Sequence, residues 1–546
     1  MRLGFVLTAL GIVSYCSSVM AVSVEDAGQA VLSLDQKVHS NFGGTLVWGT
    51  VNPPVVINPI LINQGVSSAI FSLVFDALVR VNAGGDIVPG LASSWDISAD
   101  GLSYVFHLKK GVRFHDGVEL TAEDVKFTYD AMADPRNNSP RKDVIVLSAG
   151  AQWQVIDKYT IRLSLKQPSP HFLYKLMFEI VPKHVLEGKD LSEAVFNIFP
   201  IGTGPFRFTK WDRLTQEIVL EANHEYFDGR PYLDRIVIKV YPDNTSLWAA
   251  LMRQEVDFIK FLNREDYEVL RKDPVFKTYE IAAGMSMAIV FDVKDPIFSD
   301  VRVRRAVALG INVNQMMDEM RVGGVRSTGI FAMNSAGFNP DVVALAYNPQ
   351  DARRMLGAAG WRDVDADGLL EKDGVPLEMR LLVDARSGYF ETAAMIIRQR
   401  LSEIGIKLTV LLYQDEKEFT PEYLSKNKPQ AWLRLFYMFD RDPGMALEQW
   451  YPSGDELERL WHYQNPQLDD LINKARHLSD KALLAKVYQQ IHKIVYDDQP
   501  ACFLFSFVTR HAVARKFLNT DGFFFPLMPA YMMKDWYLAK TPFEKE

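Results

Sequence analysis

Two charged side chains stand on loops that follow apolar, strand-like runs. Arg386 comes after LEMRLLV (377–383), in the loop VDARSGY, and Asp440 comes after AWLRLFYM (431–438), in FDRDPG. Open parallel sheets bind ligands beyond the carboxyl ends of their strands, so such loops can aim a side chain into a crevice. A guanidinium placed there suits a carboxylate, which it grips with two parallel hydrogen bonds, and an aspartate suits an ammonium. The plainer readings are a surface arginine or structural ion pair for Arg386, and an Asx-bonded turn before Pro443 for Asp440 and Asp442. Asn52, on an early proline-containing loop, is a further candidate, for a ligand backbone. Phe436, Tyr437 and Trp450 are candidates for a pocket wall, although aromatics beside a strand are more often core.

Other chemistry finds less support. Asp363, Asp365 and Asp367, followed by Gly368, have the opening spacing of a calcium loop, but the twelfth position is Gly374, where a bidentate glutamate is needed. The stretch therefore reads as an acidic turn, and no metal is expected. HExxH, GxSxG, CxxC, P-loop and GxGxxG patterns are all missing, and no two of the ten histidines stand at ligand spacing. No cofactor is expected.

The elements that must position these groups are legible in places. LEMRLLV as a strand, 390–404 as a helix ended by Gly405, and IKLTVLLY (406–413) as a second strand imply a parallel crossover. Asn348-Pro349 and Asn465-Pro466 open helices, with proline at the first helical position. Ser479 is expected to cap a third helix, with Leu484, Val487, Tyr488, Ile491 and Val495 as its apolar stripe, and the residues after Asp300 give the same spacing. Thr121 and Asp124 suit a capping box. The second half is thus sheet with helices packed on it, and the first half is richer in strands.

At 546 residues the chain is too long for one core, since single cores stop growing near ~250–300 residues. A net charge of −8 without a basic stripe argues against nucleic acid and anionic membrane. Arg2, the short apolar run Leu3–Val13 and small residues up to Ala21 read as an export signal, with Cys16 as an alternative lipid anchor. Residues 22–41 read as a lead-in. Cys502, inside CFLFSFV, reads as an inert core thiol.

One stretch has distinctive wording, from Ile87 to Met132, with FHDG (114–117) and AEDVKFTYDAM (122–132) at its centre. IGTGPFRFTKW (201–211), EYFDGRPYLDRI (225–236), IFSDVRVRRAVALGI (297–311) and NPQLDDLINKAR (465–476) follow in order. Together they resemble the extracellular solute-binding proteins of peptide and nickel ABC importers, the dipeptide- and oligopeptide-binding type. The resemblance runs from Gly43 to about Asp535.

It implies an α/β, bilobal periplasmic-binding-protein fold: two mixed α/β lobes joined by a strand-like hinge, with a ligand cleft between them. Lobe 1 would span 42–288 with a return segment 507–546, and lobe 2 would span 289–506. The crossings would lie near Gly284–Asp292 and Ala501–Val508. The function implied is the substrate-binding component of an ABC importer, a periplasmic monomer that closes on a small solute and delivers it to membrane permease subunits with their ATPases. The cargo implied first is a di- or oligopeptide; a nickel chelate, haem, an oligosaccharide or an opine are alternatives. Arg386 matches in position the arginine that holds the ligand carboxylate in dipeptide-binding relatives. Asp440 lies one residue after the slot of their ammonium-binding aspartate, which Phe439 occupies here, and Phe436 stands where relatives often carry tryptophan. A secreted hydrolase is the rival from another class, but no nucleophile, base and orienting group suggest themselves.

Overall fold

In the computed structural model, all residues between 41 and 539 are described except 63–64, 83–85, 142–149, 167, 169–171, 334, 387, 415–417, 419, 438–442, 451–461, 479 and 524–529. The expected export signal with Cys16, the lead-in up to residue 40, and Asp440 and Asp442 lie outside the described residues.

Among the described residues, eleven strands form the largest sheet. They are β1 Thr45–Thr50, β2 Phe206–Trp211, β3 Ile218–Ala222, β4 Arg235–Val240, β5 Phe258–Lys260, β6 Phe276–Phe291, β7 Gly324–Arg326, β8 Glu378–Asp384, β9 Lys407–Tyr413, β10 Ala431–Tyr437 and β11 Ala501–Ala514. Their order is β9-β8-β10-β6-β11-β5-β1-β4-β3-β2, with β7 pairing β11 off this path. β1 is parallel to β4 and β5. β8 is parallel to β9 and β10. Between these parallel groups, the long strands β6 and β11 run antiparallel to each other.

The two long strands join separate cores. One core gathers Leu46, Trp48, Phe258 and Phe276 with Ala512, Val513 and Trp536. A second packs Met287, Ile289 and Phe291 with Leu504, Leu381 and Leu433. A third covers the opposite face of the same strands, with Ala288, Val290, Ala501 and Phe503 against Tyr488 and Ile491. Side chains alternate across a strand, so a strand buried on both faces reads as an almost unbroken apolar run. MSMAIVF in β6 and ACFLF in β11 are such runs. Cys502 lies inside, its thiol pushed up to about 12 by burial, which keeps it protonated and inert.

Between the cores the ladder breaks. Ala282 pairs with Val508, and the next pair is Ser286 with Ser506, so β6 carries extra residues there. Gly284, in the gap, has φ +61°, a left-handed conformation that glycine takes without strain. A bulge of this kind bends a strand and weakens pairing locally, which suits a hinge.

The crossover unit forms as read: β8, a helix Gly388–Ser402, then β9 parallel to β8. Asn348 and Asn465 cap their helices through side-chain oxygens. The helix Lys481–Asp498 is capped by Asp480 rather than Ser479: the carboxylate accepts the Leu483 N–H at 2.9 Å. An aspartate one residue on is an equally good acceptor, and its charge suits the helix N-terminus. The Asp124 carboxylate accepts the Thr121 N–H at 2.8 Å, as the capping box requires.

The distinctive wording is largely structural. His115 of FHDG clasps the GTGP turn: its Nε2 lies 3.0 Å from the Gly204 carbonyl, and its Nδ1 accepts the Gly202 N–H at 3.3 Å. A Cβ at Gly202 would sit 1.9 Å from the Val74 carbonyl oxygen, so only glycine fits that approach. Tyr226 and Asp228 of EYFDG hold the buried Arg80, which also pairs with Asp76.

Candidate functional site

β1 and β5 are parallel neighbours, so their carboxyl ends open on the same side. The loops that leave them, Val51–Asn52 and Phe261–Arg264, form one wall of a cavity of about 700 Å³. The other wall comes from the second core's side of the molecule: Met285 and Met287 of β6, Arg321–Gly323 before β7, Tyr389 and Phe390 at the start of the helix after β8, and Leu435 of β10. The floor is Phe507–Arg510 of β11, beside the broken ladder. The cavity therefore lies between the lobes and against the hinge, and its volume falls in the ~300–1,000 Å³ range of small-ligand sites. Two exposed ion pairs also join the lobes: Arg264 with Asp318 at 3.1 Å, and Lys481 with Asp86 at 3.1 Å.

The lining mixes apolar surface with positive charge. Among the described residues, Trp48, Trp248, Phe261, Phe390 and Phe507 are aromatics of the lining, Lys260, Arg264, Arg321 and Arg510 are its cations, and Asp266 is its acid. The Lys260 ammonium lies 5.9 Å from the centre of the Trp48 ring and 5.6 Å from that of Phe261. Desolvation in this apolar corner pushes it down to about 8. His511, paired across the ladder with Lys260, is pushed down to about 3, mainly by burial and then by the lysine's charge. Arg510 donates from Nε to Glu280 at 2.6 Å. Burial raises Asp266, opposed by its hydrogen bond from Asn263.

Of the residues singled out from sequence, Asn52 lines the cavity. Arg386 does not. It folds back on Asp384, with Nη2 2.6 Å and Nε 2.9 Å from the carboxylate oxygens, and holds that carboxyl below its usual range. Phe436 does not line it either. It is 2% exposed and packs in the third core, because it points to the opposite face of β10 from Leu435. Tyr437 ends β10 and Trp450 ends the helix Pro443–Trp450, but their side chains, like all of Asp440, lie outside the described residues. The exposed carboxylates of Asp363, Asp365 and Asp367 lie within 4.8 Å of one another and accept N–H bonds from Gly368, Asp367 and Leu369, as in a tight Asx-type turn.

Sequence reasoning missed Lys260 and Arg510. A signal existed for both: each is a lone cation in an apolar run, DFIKFL and FVTRHAVA. Nothing in DEMRVGG pointed to Arg321.

Comparison with known proteins agrees with this architecture. The oligopeptide-binding protein AppA of Bacillus subtilis is 29% identical over 520 residues, covering 91% of this chain and 92% of its own. Its solved structure, in complex with a nonapeptide, matches with a TM-score of 0.69 over 92% of this chain and 100% of that one, at 28% identity. Heme-binding protein A of Haemophilus influenzae is 28% identical over 508 residues, 87% of this chain and 89% of its own. Residues 86–458 match the family model described as bacterial extracellular solute-binding proteins, family 5 Middle. With more than half of its length matched and a cavity lined from both α/β lobes, this chain belongs to the bacterial extracellular solute-binding proteins of family 5.

Proposed function

We propose that this protein is the receptor of an ABC importer for short peptides, which it binds between its lobes and hands to the membrane permease. The observation that carries the reading is the cavity itself: it takes walls from both lobes and its floor from the hinge strands. A ligand there touches both halves at once, which gives it the preference for the closed form that drives closure. The lobes are taken as 42–288 with 507–546, and 289–506. The apolar and aromatic lining suits side chains of varied type, and the fixed charges suit the ends of a peptide. Asn52 is assigned to the ligand backbone, and Asp440 to the ligand ammonium. The peptide-bound relative, alike over nearly the whole chain, supports this cargo over haem, which a relative of similar identity binds by name.

The test is mass spectrometry of what co-purifies with protein expressed in a bacterial host, with an absorbance spectrum of the same sample. Peptides of a few residues support the reading. A Soret band, a bound metal chelate or a sugar would replace it with another cargo of the family. Cleavage products accumulating from an added peptide mixture would make the protein an enzyme.

A further inference from the structure

The two ion pairs that join the lobes connect elements of different cores. Arg264 Nη1 lies 3.1 Å from the Asp318 carboxylate, and Lys481 Nζ lies 3.1 Å from that of Asp86. Arg264 opens the helix Arg264–Leu270, whose Leu270 packs in the first core. Asp318 stands on the helix Val313–Glu319, whose Met316 and Met317 pack in the second. Asp86 precedes Ile87, which packs against the first core. Lys481 opens the helix Lys481–Asp498, whose Val487 and Ile491 pack in the third. The second and third cores cover opposite faces of the long strands, so lobe 2 is tied to lobe 1 from both faces.

Three of these charges stand against the interest of their own helices. Arg264 and Lys481 each hold the first helical position, and Asp318 is next to last in its helix. Helix N-termini favour anions and C-termini favour cations, so local stability does not account for the placement. Each of the three is matched instead by an opposite charge on the other lobe. The polarity also alternates: lobe 1 brings the cation to one pair and the anion to the other. The match is therefore between two particular spots, not between a positive lobe and a negative one. All four side chains are more than half exposed, so both pairs answer to salt.

We propose that Arg264–Asp318 and Asp86–Lys481 form an electrostatic latch that favours the closed form whether or not a ligand is bound. Both pairs are made by protein atoms alone and need the lobes to meet, so they bias the empty and the loaded protein toward closure in the same way. An exposed pair shifts an equilibrium by up to about fivefold, and two independent pairs by up to about 25-fold. Salt releases the latch: the screening distance falls from ~30 Å at 0.01 M to ~3 Å at 1 M, the length of the pairs themselves. The inference holds for any cargo.

The experiment is small-angle scattering on protein freed of co-purified ligand by dialysis in urea and refolding, at about 0.01 M and about 1 M sodium chloride. The proteins are the parent chain, a broken variant with Asp318→Asn and Lys481→Gln, and a reversed variant with Asp86→Lys and Lys481→Asp. None of the altered residues lines the cavity. The parent is expected to expand as salt rises, its closed-to-open ratio falling about fivefold or more. The broken variant should be expanded at both salt concentrations, and the reversed variant should follow the parent. The sign is diagnostic: the chain carries a net charge of −8, and screening its general self-repulsion would compact it instead. A parent radius of gyration that stays constant or falls with salt would overturn the latch. So would a broken variant that keeps the parent's salt response, or a reversed variant more expanded than the parent at low salt.

Discussion

Arg386 grips Asp384, two residues before it in the chain, with a fork of side-chain hydrogen bonds and a further bond from its own backbone N–H at 2.9 Å. The pair sits at the carboxyl end of β8, where a ligand-binding arginine was expected. The arginine side chain is 58% exposed, so the contact is well screened. To reach a ligand, Arg386 would have to release a carboxylate already matched to it in geometry and charge.

Arg386→Ala is accordingly expected to change peptide affinity less than threefold. Exposed pairs contribute about 0–1 kcal/mol, so its effect on unfolding should also be small. Calorimetry with a free-acid peptide and urea melts check both statements. A tenfold loss of affinity would return Arg386 to the site and demand that the fork opens on binding.

What the sequence showed and what it hid follow one physical line. Local signals were legible: the Asn348 and Asn465 caps, the β8–helix–β9 crossover, and the buried runs of β6 and β11. Each depends on residues close in the chain. The cleft was not legible, because it is assembled from Asn52, Lys260, Arg321, Phe390 and Arg510, which are neighbours only after folding. Phe436 was misplaced by one step of strand alternation: Leu435 faces the cavity and Phe436 the core. The family wording around FHDG and GTGP proved uninformative about ligand, since His115, Gly202 and Gly204 serve a clasp inside lobe 1.

Lys260 lines the cavity, so binding of a peptide acid is expected to be sensitive to alkali. In the free protein its ammonium titrates at about 8, lowered by desolvation. Beside it are the Trp48 and Phe261 rings and, across the ladder, His511, which is neutral in this range; Arg264, Arg321, Arg510 and Asp266 line the same cavity. Guanidinium groups keep their charge below about pH 12. Affinity for a peptide acid should be flat up to about pH 7 and fall as pH rises through 8, by at most about tenfold per unit. Binding above pH 8 should take up a proton, visible as a buffer-dependent heat. Lys260→Met should abolish the dependence. The stability sign is opposite: the folded value lies below the unfolded one, so the charged lysine destabilises the fold most below pH 8. The same variant should therefore melt higher than the parent at neutral pH.

Gly284 tests the hinge. Its φ of +61° lies in the gap where β6 and β11 lose register. An alanine there would cost about 1–2 kcal/mol in the left-handed region. Gly284→Ala is expected to lower the unfolding free energy measured in urea by that amount, with a matching fall in the midpoint, and to weaken ligand-induced compaction in small-angle scattering. Unchanged compaction would move the pivot elsewhere along the two strands.

Acid should loosen the molecule before its carboxylates titrate. His115 and His492 are pushed down to about 4 and His511 to about 3, in each case mainly by burial. His492 shows why: its Nδ1 accepts the Asn339 N–H at 2.9 Å, and Phe331 and Phe338 pack against the ring. A proton on that nitrogen would set donor against donor. The unfolded chain takes up these protons near pH 6.5 and the folded chain does not, so the stabilisation is complete above about 6.5 and is lost as pH falls toward 4. Urea midpoints should drop between pH 7 and 5, with proton uptake on unfolding. His492→Leu should be less stable than the parent at pH 7.5, because it strands the Asn339 N–H, yet lose less on acidification. A variant that tracks the parent at every pH would show that His492 takes no part in the acid response.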